Sequence, residues 1–109
     1  MDAGRLNRRV TIQHRVESQD PMYGTPIVAW EPMVTVWAEV QDILPSRGED
    51  MAEVINLARR PARVRMRWRD DVDMTMRLII DGRTLEIIAG PAELGYREGI
   101  ELMAEELST

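Results

Sequence analysis

The sequence predicts a mainly β protein, a small antiparallel β-barrel or sandwich of about six strands with one inserted α-helix. Three observations predict it. Between Arg63 and Arg69, the apolar Val64, Met66 and Trp68 alternate with four arginines, a period of two that suits a half-buried strand. Asp81-Gly82 separates two further alternating runs, and that dipeptide is the strongest short-range hairpin signal. A helical period is carried instead by the stretch from Ser46 to Arg60.

The chain has 109 residues, which suits one domain over 1–109 with a single core and no room for a large buried active site. It contains no cysteine, so neither a disulfide framework nor a thiolate metal site is available, and a reducing compartment is favoured. No apolar run approaches a membrane span, and the N-terminus lacks the apolar segment of a signal peptide. A soluble cytoplasmic product is expected. The net charge of -5 argues against a protein whose main task is to grip nucleic acid, because counterion release rewards a basic surface. All 14 basic residues are arginine, which reflects either a GC-rich genome or a surface built on planar, bidentate ion pairs.

In chain order, the first strand spans Gly4 to Val16: Leu6, Val10, Ile12 and Val16 share one parity, while Asn7, Arg9, Thr11, Gln13 and Arg15 share the other. His14 falls on the apolar parity and, with no second histidine or cysteine, reads as a hydrogen-bonded core or rim residue. Ser18 to Pro26 is rich in turn residues and carries Met22 and Tyr23 at its tip, either as a partner contact or folded back over the barrel. The second strand runs from Ile27 to about Leu44, with Pro32 implying an edge position or a bulge. Val34, Val36, Ala38 and Val40 face one way. Trp37 lies on the polar side, either beneath the following helix or at a subunit interface.

Ser46-Arg47-Gly48-Glu49 reads as a capping box, and Met51, Val54, Ile55 and Ala58 form an apolar stripe that ends before Pro61. The arginine strand follows. Asp70, Asp71 and Asp73 then cluster in a loop with Met74; the spacing lacks the glycine and distal glutamate of a calcium loop, so a solvated acidic turn is expected. The runs around Leu78–Ile80 and Leu85–Ala89 complete a three-strand meander with the arginine strand, closed by Gly90-Pro91. After a turn from Gly95 to Gly99, Ile100, Leu102 and Ala104 alternate with Glu101, Met103 and Glu105. That acidic face pairs with the arginines if the two strands are neighbours.

No catalytic set is assembled. The chain has one histidine, no thiol and no glycine-rich phosphate loop, and its serines lie in turns, a cap or the tail. No enzymatic activity and no cofactor or metal are expected.

The order Gly4-x-Leu6-x-x-Arg9-Val10-Thr11-Ile12-Gln13, Asp20 and Gly24, Trp30, Val36-Trp37-Ala38-x-Val40, a short helix, Val64-x-Met66-Arg67-x-Arg69 and Arg77-Leu78-x-x-x-Gly82 resembles the head-tail joining proteins of long-tailed phages and prophages, of the head closure or stopper type. The same family serves gene transfer agents. The resemblance covers nearly the whole chain. It implies a small β-barrel with an inserted helix, made in the bacterial cytoplasm and built into the neck of the virion. There it would form a homo-oligomeric ring of about twelve or about six subunits. Its partners would be a portal or adaptor protein on the head side and a tail terminator or tail tube protein on the tail side. Double-stranded DNA would pass through the lumen without specific binding, and no membrane is involved. Candidate loops facing the channel or a neighbouring ring are 18–26 and 70–76, with Asp70, Asp71, Asp73 and Met74 in the second.

For the ring or partner interface the candidates are Met22, Tyr23, Trp37, Arg63, Arg65, Arg67, Arg69, Glu101 and Glu105. The alternative reading is a barrel module that binds single-stranded nucleic acid through Arg63, Arg65, Arg67 and Trp68. Such modules expose their stacking aromatics, whereas Trp68 has the core parity.

Overall fold

The computed structural model describes residues 3–43 and 60–106. Six strands close into an antiparallel barrel: β1 (Arg8–Gln19), β2 (Pro26–Asp42), β3 (Ala62–Arg67), β4 (Arg77–Ile80), β5 (Arg83–Leu94) and β6 (Gly99–Glu106), in the spatial order β1-β2-β3-β6-β5-β4. Closure removes the open edges that a flat sheet of this size would expose. The expected mainly β barrel is present. The helix expected over 46–60 falls almost entirely outside the described residues.

The core follows the predicted parity. Val10 and Ile12 of β1, Ala38 of β2, Val64 and Met66 of β3, Leu78 and Ile80 of β4, Leu85 and Ile87 of β5, and Ile100, Leu102 and Ala104 of β6 are all buried. Alternation sends their neighbours outward. Each buried Ile, Leu, Val or Met contributes about 1.5–3 kcal/mol relative to exposure. A 3-10 turn over Ala3–Arg5 replaces the expected start of β1, closed by Leu6 N–H donating to the Ala3 carbonyl at 3.2 Å, and Leu6 is buried. Pro32 marks a bulge: Ile12 faces Val34 and Gln13 faces Pro32, so Met33 has no cross-strand partner.

Two expectations are corrected. The arginine strand does not form a meander with β4 and β5. β3 instead lies between β2 and β6, while β4 and β5 make the hairpin around Asp81-Gly82. The chain crosses from β3 to β4 through the 68–76 loop, anchored by buried Val72. Nor does Gly90-Pro91 end a strand. β5 continues to Leu94, with irregularities in its pairing to β6 between Ile87 and Ala92. Gly90 has φ +97°, and a Cβ there would stand 2.7 Å from the Glu101 carbonyl oxygen, so the crossing of β5 over β6 requires glycine.

Candidate functional site

β1 and β2 outrun the barrel. β4 pairs with β1 only from Val10 to Gln13, and β3 pairs with β2 only from Ala38 to Asp42. From the His14–Glu31 pair to the Gln19–Pro26 pair, the two strands pair, among the described residues, only with each other. This two-stranded arm runs for roughly 20 Å at the usual strand rise, along a molecule whose longest dimension is 51 Å.

The tip of the arm is a tight turn. Asp20 N–H donates to the Thr25 carbonyl at 2.9 Å, Gly24 N–H donates to the Asp20 carbonyl at 2.8 Å, and Met22 N–H donates to Asp20 Oδ1 at 2.8 Å. Gly24 supplies the left-handed φ of +67°. Ordered in this way, Met22 and Tyr23 stand 80% and 79% exposed rather than folded back on the barrel. Ile27 and Val28 extend the apolar surface down the arm. At its root, Arg77 stacks on Trp30 at 4.4 Å and donates from Nε to Gln13 Oε1 at 2.7 Å. His14 sits on the arm, its Nε2 3.8 Å from the Glu31 carboxylate.

The arginine strand divides into two pairs of residues. Arg63 and Arg65 face Glu101 across the β3–β6 ladder: Arg65 Nε donates to Glu101 Oε1 at 2.7 Å, and Arg63 Nε lies 3.4 Å from the same oxygen. These two guanidiniums are committed within the barrel. Arg67 is exposed at the strand end, and Arg69 makes a two-pronged ion pair with Asp71, at 3.0 and 2.8 Å. That hydrogen bond holds the Asp71 carboxyl below its ordinary pKa and raises that of Arg69. Asp73 accepts from Thr75 N–H at 2.9 Å and closes its own turn, Asp70 is exposed, and Met74 is 53% exposed. The 70–76 loop is thus an ordered, ion-paired turn. Glu105 is half-buried on β6, opposite Glu86 of β5.

Trp37 is 52% exposed on the outer wall, with the Arg9 guanidinium 4.7 Å from its ring centre. Arg97 lies between Trp68, at 5.0 Å, and Tyr96, at 5.7 Å. Sequence parity places Arg9 and Trp37 outward, but their stacking depends on the β1–β2 register, which no local pattern announces.

Among the described residues, the exposed large apolar side chains include Met22, Tyr23, Ile27 and Val28 on the arm and Trp37 on the outer wall. The family model described as phage head completion protein matches residues 1–107. No curated protein matches the chain. Among solved structures, the solution structure of protein SF1141 from Shigella flexneri 2a is similar at 32% identity, covering 97% of this chain and 96% of that one, with a TM-score of 0.73. A chain of the virion of a native gene transfer agent particle shares the fold at 19% identity, covering 93% of this chain and 94% of that one, with a TM-score of 0.65.

Proposed function

The chain belongs to the phage head completion protein family, and from that premise we propose that it is a structural head-tail connector in the neck of a phage-like virion. It works as a ring of identical subunits on the path of the DNA. The observation that carries this reading is the arm. A small barrel whose β1–β2 hairpin extends past its barrel pairing, with Met22 and Tyr23 exposed at the tip, has an apolar surface that the described residues leave uncovered. In the ring this tip reaches the neighbouring component, a portal or adaptor on the head side or a tail terminator or tube on the tail side. The gene transfer agent particle supports the reading, because a chain of the same fold is part of that virion.

The electrostatics suit a channel subunit. A net charge of -5 keeps the surface from holding DNA tightly, which allows a genome to slide past. Neither a catalytic step nor a cofactor belongs to this role. The single-stranded nucleic-acid reading has little left to stand on, since Glu101 engages two of its three arginines.

The test is complementation of particles that lack this protein. Wild-type protein restores tailed, DNA-filled particles seen by electron microscopy, whereas protein with Met22 and Tyr23 changed to serine leaves filled heads and free tails apart. Normal tailed particles in the complete absence of the protein would overturn the proposal.

A further inference from the structure

Three arginines and three aromatic rings share one stretch of the surface. Trp37 projects from β2 with the Arg9 guanidinium on its ring, and Arg67, at the end of β3, lines the two shallow depressions that adjoin the indole. Ala3 and Leu6 wall the first depression, of about 330 Å³, while Val36, Trp68 and Arg69 wall the second, of about 250 Å³. Trp68 carries the face on to the turn between β5 and β6, where Arg97 lies between its ring and that of Tyr96, itself 85% exposed. Arg9, Arg67 and Arg97 make no ion pair among the described residues. The acidic groups nearby are engaged elsewhere: Asp71 holds Arg69, Glu101 holds Arg65 with Glu39 on the far side of that arginine, Glu93 accepts the Arg97 backbone N–H at 2.8 Å, and Glu98 has a partner of its own.

Arg97 also departs from what its backbone favours. Its φ is +55°, a left-handed conformation in which a Cβ crowds the chain and which glycine or asparagine adopts at less cost. The residue is exposed, so packing does not demand a long side chain there. An arginine held against its backbone preference on an open turn points to use of the guanidinium itself.

We infer that this face docks an acidic segment bearing apolar side chains, supplied by a different protein of the neck. The inference rests on the connector reading and names the chemistry of one partner. Charge complementarity selects the acid, since Arg9, Arg67 and Arg97 lie together without carboxylates in a chain whose net charge is -5. A guanidinium stacked on a ring keeps its N–H edge free for a two-pronged bond to a carboxylate. Arg9 and Arg97 meanwhile lie over ring faces on which a nucleobase would stack. The depressions select the apolar part, because Ala3, Leu6 and Val36 offer aliphatic walls beside Trp37 that a sugar-phosphate backbone does not fill. A second copy suits the face less well: among the described residues, Glu17, Asp71, Asp81, Glu101 and Glu106 each already hold an arginine of their own chain. Tryptophan and arginine together are the side chains that dominate interfaces once a partner covers them.

The test is photo-cross-linking inside assembled particles. Protein with p-benzoylphenylalanine in place of the exposed Tyr96 complements particles that lack the native chain, and the irradiated cross-link is mapped by mass spectrometry. The expected product joins this chain to one segment of another neck protein, a segment in which carboxylates and apolar residues are interleaved. Arg67→Glu and Arg97→Gly, each added to the photo-reactive chain, lower its yield about tenfold or more. Both variants melt close to wild type, since glycine relieves the left-handed φ at position 97 and Arg67 sits exposed at a strand end. A cross-link to DNA, to a second copy of this chain or to a segment without an excess of carboxylates overturns the inference. So do tailed particles that contain the protein and give no cross-link, a yield that both variants leave unchanged, or an Arg97→Gly protein that melts far below wild type. In each of these cases the particles are still tailed, so the connector reading stands. Particles that acquire tails normally with no copy of the protein present remove both.

Discussion

Arg65 and Glu101 meet across the β3–β6 ladder, Nε to Oε1 at 2.7 Å, and the same oxygen also lies 3.4 Å from Nε of Arg63. One carboxylate therefore serves two arginines that share a face of the strand. Arg63 Nε is buried and makes no hydrogen bond of its own, so Glu101 is its nearest compensation. Removing Glu101 leaves both guanidiniums half-buried with no other ion pair among the described residues.

Glu101→Ala is expected to lower stability by about 1–3 kcal/mol, read as a lower urea midpoint with an unchanged slope. Arg65→Glu, which sets two carboxylates face to face, destabilises in the same direction. Arg67→Glu, at an exposed strand end, stays within about 0.5 kcal/mol of wild type. Equal effects at Arg65 and Arg67 would contradict the division of the arginine strand.

Gly90 tests the crossing of β5 over β6. A Cβ at this position meets the Glu101 carbonyl at 2.7 Å and the Leu102 Cα at 3.3 Å, both backbone atoms that cannot swing aside. Gly90→Ala should cost more than the ~1 kcal/mol that glycine replacement can gain through the unfolded state. Thermal unfolding would show it, and a melting temperature at or above that of wild type would refute it.

The Arg69–Asp71 pair gives stability a small acid dependence. The folded carboxyl titrates below its ordinary 3.8, so the pair stabilises above that value and its contribution is lost as pH falls through the lower folded value. Both side chains are partly exposed, which limits the effect to about 0.2–1 kcal/mol. Asp71→Asn should therefore unfold more readily than wild type at pH 7, and the difference should shrink steadily as titration proceeds below 3.8. Urea unfolding across that range measures it, and a gap that widened on acidification would reverse the assignment.

The arm separates assembly from stability. Met22→Ser with Tyr23→Ser removes two side chains that bury little against their own barrel, so unfolding free energy should change by less than about 0.5 kcal/mol. Tail attachment should be lost. Loss of folding together with attachment would mean that the tip packs on its own barrel.

The parts of the fold legible in the sequence were those carried by local rules. Alternation placed Val64 and Met66 inside and Arg63 and Arg65 outside, Asp81-Gly82 made its hairpin, and Pro32 signalled the bulge at Met33. Strand order was not legible, because pairing of β3 with β6 rather than β4 is decided by closure of the whole barrel and not by any neighbouring residue. Alternation also persists past Gln13 into the arm, where Val16 keeps the core parity although, among the described residues, only β2 pairs with it. The pattern therefore reads as barrel where the chain has already left it. Met22 and Tyr23 were identified as a tip, but the length of the stalk beneath them emerged only from the register.

Among the described residues, the barrel interior holds no buried polar or charged side chain, only valine, isoleucine, leucine, methionine and alanine. An interior of this kind makes few demands beyond volume, since no group inside must find a particular partner. Aliphatic exchanges that conserve total bulk leave the same barrel standing. The outer walls and the arm are then free to diverge. A neck protein built this way can be refitted to a different head or tail by changes at its surface, with its foldability intact.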